Sequence, residues 1–87
     1  MMEISVELTL TPLQDDFEPA IKDFIKKLRA SNFKVIENPL STQVYGEYDA
    51  VMRMLTLEVK ETFQLIDKGI IFMKIVKSNR QDYEPSF

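Results

Sequence analysis

With 87 residues, 45% of them hydrophobic and 29% charged, the chain can form one domain around one thin core, and its composition is neither disordered nor membranous. A net charge of −3 and a pI near 4.9 leave no basic footprint for phosphate backbones, so nucleic acid is not an expected partner. Cysteine and histidine are both absent, which excludes disulfides, thiolate metal sites and cysteine nucleophiles and removes the side chain most used for proton transfer near neutral pH.

The segment Glu3 to Thr11 alternates. Ile4, Val6, Leu8 and Leu10 point one way, and Ser5, Glu7, Thr9 and Thr11 the other, which is the pattern of a strand with one buried face. Pro12 ends it. Asp15-Asp16-Phe17 is expected to open a helix, with either aspartate as the cap and Pro19 in the first turn, where its missing N–H costs little. Phe17, Ala20, Ile21, Phe24, Ile25 and Leu28 then follow helical spacing, Lys22, Lys26, Lys27 and Arg29 take the wet side, and Ser31-Asn32 closes the helix.

Phe33 to Glu37 and Ser41 to Glu47 read as two strands joined by the turn Asn38-Pro39-Leu40. Asp49 is the expected cap of a second helix with the apolar stripe Ala50, Val51, Met54, Leu55, Val59, Thr62, Phe63 and Ile66. Gly69 suits the left-handed position after that helix. Ile70 to Lys77 is a last strand, apolar on both faces, and a polar tail follows it. The domain is placed at residues 1–78 and the tail at 79–87.

The order β-α-β-β-α-β with right-handed crossovers predicts an α+β, ferredoxin-like fold. It is a four-stranded antiparallel sheet of order 4-1-3-2 with two helices on one face. The other face is left bare, with Phe72, Val76, Tyr45 and Ile36 as candidates to occupy it. Apolar groups on an uncovered sheet face predict a homodimer or homotetramer joined there.

No glycine-rich phosphate loop, nucleophile elbow or metal-spaced carboxylate cluster occurs in the chain. The strongest local signal is Leu40-Ser41-Thr42-Gln43-Val44-Tyr45-Gly46-Glu47-Tyr48-Asp49. Two hydroxyls and an amide at a strand start can hydrogen-bond the edge of a small ring, and Gly46 permits close backbone approach. Ser and Thr are equally ordinary after a proline turn, and Gly46 can simply shape the passage from strand to helix. The second signal is Thr9-Leu10-Thr11-Pro12-Leu13-Gln14-Asp15-Asp16-Phe17, where a carboxylate can cap a helix and also face a pocket. The methionines, Met52, Met54 and Met73 among them, are expected to fill the core.

These two segments, Leu8-Thr9-Leu10-Thr11-Pro12-Leu13-Gln14-Asp15-Asp16-Phe17 and Leu40-Ser41-Thr42-Gln43-Val44-Tyr45-Gly46-Glu47-Tyr48-Asp49-Ala50-Val51-Met52, resemble the repeat unit of the YkoF-like family, which binds thiamine and its hydroxymethylpyrimidine moiety and has a single-domain thiamine-binding branch. The resemblance spans residues 3–77. It implies the ferredoxin-like fold used in pairs, here by association of separate chains. Carried over by position, it implies ligand contacts from Ser41 and Thr42, then from Asp15, Asp16 and Phe17. Thr9 and Gln43, polar residues of the same two segments, complete the expected ligand-binding set. The ending Lys74-Ile75-Val76-Lys77-Ser78-Asn79 departs from the Ser-Cys-Pro-type ending of the tandem members.

The expected function is therefore non-enzymatic binding of thiamine or a related hydroxymethylpyrimidine compound, as carrier, store or salvage accessory. The ligand is a cationic or neutral heteroaromatic, and no resident cofactor or metal is expected. The alternatives are a ferredoxin-like regulatory or assembly module whose partner is a protein and, further off, a small enzyme using carboxylates. The N-terminus lacks the basic and apolar regions of a signal peptide and no apolar run reaches membrane-spanning length, so a cytoplasmic location without membrane insertion is the default expectation.

Overall fold

The structure, a computed structural model, describes residues 1–86. Its elements are β1 (Glu3–Pro12), α1 (Glu18–Arg29), β2 (Lys34–Glu37), β3 (Thr42–Glu47), α2 (Tyr48–Leu65) and β4 (Gly69–Val76). The strands form one antiparallel sheet of order β2-β3-β1-β4, which is the expected 4-1-3-2 order read from the other edge.

Residues directly opposite one another in an antiparallel pair share a face, so the registers assign every strand residue. Ile4, Val6 and Leu8 of β1 oppose Gly46, Val44 and Thr42 of β3 on the face that the helices cover. Phe24 and Leu28 of α1 and Val51 and Leu55 of α2 complete the core there. Gly46 sits where an added Cβ would meet Phe33 and Val51, so glycine serves close packing at this position. The uncovered face carries Ser5, Glu7, Thr9 and Thr11, flanked by Tyr45 and Gln43 on one side and by Ile70, Phe72, Lys74 and Val76 on the other. Ile36 opposes Gln43 and joins this face. All four apolar residues expected there are present.

Three local expectations are revised. Neither Asp15 nor Asp16 caps α1: its N-cap is Phe17, with no side-chain bond. A capping oxygen bonds the second or third backbone N–H of a helix, and Pro19, the second residue of α1, has none to give. Asp49 does not cap α2. Glu47 does, its carboxylate accepting from Asp49 N (2.9 Å) and Ala50 N (3.1 Å), so β3 enters the helix with no intervening loop. Gly69 does not adopt a left-handed conformation. It begins β4 opposite Pro12, with the Ile66 side chain in the space a Cβ needs. Among the described residues the left-handed one is Asn32, φ 69°, after α1, and asparagine tolerates this region.

The polar tail, whose Phe87 lies outside the described residues, is anchored to β1. Ser5 Oγ donates to Ser78 O (2.7 Å) and accepts from Arg80 N (2.8 Å), and Asn79 Nδ2 donates to Glu3 (3.0 Å). These bonds explain why Ser5, on the helix-free face, is nonetheless buried.

Candidate functional site

β1 outruns β3. It pairs with β4 from Ser5 to Pro12 but with β3 only from Glu3 to Leu8. Beyond Leu8, the side of β1 that faces β3 is open, and the turn between β2 and β3 folds into that space. Asn38 shapes the turn. Its Oδ1 accepts from Leu40 N (2.8 Å) and Ser41 N (2.9 Å), and its own N–H donates to Ser41 O (3.0 Å), so the side chain substitutes for a backbone turn. Thr9 Oγ1 donates to Leu40 O (3.3 Å) and ties the turn back to β1.

Between this turn, β1 and α1 lies a cavity of about 170 Å³. Leu8, Leu10, Ile21, Phe24 and Ile25 form its apolar walls, and Thr9, Asn38, Ser41 and Thr42 supply its polar groups. No ionisable side chain lines it. Thr42 belongs to the core face, is 6% exposed, and its hydroxyl makes no hydrogen bond among the described residues. Ser41 is engaged: its Oγ donates to Glu7 Oε2 (2.9 Å) and accepts from Gln43 Nε2 (2.7 Å). Ser41 thus links the cavity to the carboxylate of Glu7 on the helix-free face. Tyr45 lies on that face too, where burial first and the Glu7 charge second push its phenol pKa upward, keeping it a neutral hydrogen-bonding group.

The expected site residues therefore separate into groups. Thr9, Ser41 and Thr42 line the cavity. Gln43 stands beside Ser41 on the helix-free face, opposite to Thr42, since neighbouring strand residues point opposite ways. Asp15, Asp16 and Phe17 are exposed and do not line the cavity. Their segment is drawn to the β4 side of β1 by the bond from Leu13 N to Lys68 O (2.9 Å). In the sequence Asn38 reads as a turn residue and Ile21, Phe24 and Ile25 as part of an apolar helical stripe. An asparagine before proline in the loop leading to the Ser-Thr pair was the available signal for the first; the helical residues carried none.

Among the described residues, no group of three or more Asp or Glu side chains is placed to hold a metal ion. No described helix is long and apolar enough to cross a membrane.

The fold has solved counterparts. A candidate thiamine biosynthesis/salvage protein of Thermotoga maritima superposes with a TM-score of 0.78 at 20% identity, covering 84% of this chain and 81% of that one. A protein of Streptococcus pneumoniae gives 0.83 at 24% identity, covering 93% and 92%. A domain of unknown function from Bacillus cereus gives 0.73 at 16%, covering 97% and 78%. At these identities the likeness concerns the fold alone. Among curated proteins no sequence match is found. The family model of the thiamine-binding proteins, by contrast, matches residues 6–86, a span that takes in every strand but the first residues of β1, both helices, the cavity and the anchored tail. The chain belongs to the thiamine-binding protein family.

Proposed function

We propose that this protein binds thiamine or a related hydroxymethylpyrimidine compound without transforming it, through the cavity between α1, β1 and the β2–β3 turn. The observation that carries the reading is the family membership, and the cavity is compatible with it. A dry cavity of about 150 Å³ holds one benzene ring, so about 170 Å³ suits a single substituted pyrimidine and not the whole of thiamine. In this reading the pyrimidine enters, meeting Thr42 and the polar groups of the turn, while the thiazolium stays at the mouth. Glu7, one hydrogen bond beyond Ser41, supplies negative charge on the side of the cation.

The protein serves as a carrier, store or salvage accessory in the cytoplasm, as a homodimer or homotetramer joined through the helix-free sheet face. Phe72, 63% exposed on that face, supports the association. The same exposed residue favours a second reading, a regulatory or assembly module whose main partner is another protein. Ligand-induced stabilisation separates the two. A ligand at a hundred times its dissociation constant adds about 2.7 kcal/mol, so thiamine and hydroxymethylpyrimidine should raise the melting temperature by several degrees. No shift with thiamine, its phosphates or hydroxymethylpyrimidine at millimolar concentration refutes the binding reading.

A further inference from the structure

The side-chain amide of Asn38 has a fixed polarity. Its Oδ1 accepts from Leu40 N (2.8 Å) and Ser41 N (2.9 Å). An amide nitrogen carries two hydrogens and cannot accept these bonds, so the two backbone donors decide which end of the amide is which. The Nδ2 end bonds nothing among the described residues. Asn38 lines the cavity and is exposed, which puts it at the mouth with two N–H donors unused.

The other polar side chains of the cavity are either committed or adaptable. Thr9 Oγ1 gives its proton to Leu40 O (3.3 Å). Ser41 Oγ donates to Glu7 and accepts from Gln43. Thr42 keeps a free hydroxyl, which rotates to donate or to accept. Glu37, the residue before Asn38, opposes Thr42 in the hairpin register, so the amide and the free hydroxyl are borne by adjacent positions across β2 and β3. Together they offer one invariant donor and one group of either polarity, against apolar walls and without charge.

We infer that Asn38 is the specificity-determining residue of the cavity, and that it selects a planar ring carrying an unprotonated acceptor on the edge that meets the β2–β3 turn. This selection rests on the ligand reading above and narrows it to neutral nitrogen heterocycles. A ring nitrogen takes an N–H of Asn38, and an amine on the neighbouring carbon finds the Thr42 oxygen as its acceptor. A carbocycle of the same outline strips water from the Asn38 donors and returns no bond. A protonated ring sets a donor against a donor. A fully buried site built to hydrogen-bond its ligand rejects the analogue lacking the partner by several orders of magnitude. Asn38 is exposed, so water replaces part of the lost bond and the discrimination falls to roughly tenfold.

Asn38→Asp is the discriminating change. Aspartate keeps acceptors for the backbone of Leu40 and Ser41, so the turn holds, and it sets an acceptor oxygen where the donors stood. The ligand-free variant should melt within a few degrees of wild type. The ligand pair is hydroxymethylpyrimidine and its benzene analogue, with C–H in place of both ring nitrogens, titrated in mildly alkaline buffer where the pyrimidine is unprotonated. Wild type should bind the pyrimidine roughly tenfold more tightly, and Asn38→Asp should lose that preference. Equal affinity of wild type for the two compounds overturns the proposal whether or not Asn38→Asp folds, and so does a preference that survives in the folded variant. If wild type binds neither hydroxymethylpyrimidine nor thiamine, the ligand reading fails by itself. Bare pyrimidine and benzene at millimolar concentration, followed through the methyl resonances of Ile21 and Ile25, then decide the selection. Pyrimidine binding that Asn38→Asp abolishes sustains it; equal shifts with benzene, or no shifts at all, overturn it.

Discussion

Thr42→Val tests the cavity at its most specific point. Valine matches threonine in outline, so the change exchanges one hydroxyl for a methyl group. Thr42 is 6% exposed and its hydroxyl bonds nothing among the described residues, so the ligand-free protein loses no internal hydrogen bond. Removing a polar group from a largely dry site is neutral or stabilising, by up to about 1 kcal/mol. For a domain of this size that is a rise of at most about 4–8 °C in melting temperature. The bound state behaves oppositely. A ligand nitrogen or amine that meets the Thr42 hydroxyl in a desolvated cavity loses its partner, at about 1–3 kcal/mol, or roughly 5- to 150-fold in dissociation constant. Calorimetric titration of wild type and variant with thiamine and hydroxymethylpyrimidine, beside melts of the ligand-free proteins, measures both effects. Thr42→Ser, which keeps the hydroxyl, should retain affinity within a few-fold. Equal affinity of wild type and Thr42→Val refutes the placement of the ligand, and a marked fall in the stability of ligand-free Thr42→Val refutes the claim that the hydroxyl is free.

Thiamine should bind more tightly than thiamine diphosphate, because no cationic side chain lines the cavity and Lys74 lies beside Glu7 on the other face; side-by-side titrations showing the reverse order would displace the site. Thr62→Val should stabilise the fold by about 1 kcal/mol, since the Thr62 hydroxyl is buried in α2 without a partner among the described residues; urea denaturation yielding a lower stability would reveal a missing bond. Hydrogen bonds from Asp49 N and then Ala50 N hold the Glu47 carboxyl below its ordinary 4.5. Its capping contribution is therefore present above that value and lost as pH falls through the lowered folded-state value. Wild type should melt above Glu47→Gln near neutral pH, and the gap should close in acid; a pH-independent gap contradicts the assignment.

How much of this was legible in the sequence varies by residue. The alternation of Ile4, Val6, Leu8 and Leu10 defines β1 because a strand has a side-chain period of two and only one face of β1 meets the helices. The stripe Ala20, Phe24 and Leu28 defines α1 in the same way at helical period. With the chain order βαββαβ and the handedness of crossovers, those local patterns determine the sheet order. The Ser41-Thr42 pair was also legible as a polar signal at a strand start.

Tertiary structure alone decided what those residues face. Adjacent strand residues point to opposite sides, so Thr42 enters the cavity while Gln43 stands on the bare face, and only the register against Leu8 and Glu7 says which is which. Glu47 displaced Asp49 as the cap because β3 runs straight into α2, a junction that the capping preference for aspartate does not encode. The cavity itself exists because β1 is longer on its β4 side than on its β3 side. Strand length is set by pairing between distant segments, and so the space left beside Leu8 and Leu10, unlike the pattern of the residues that wall it, belongs to no single stretch of the chain.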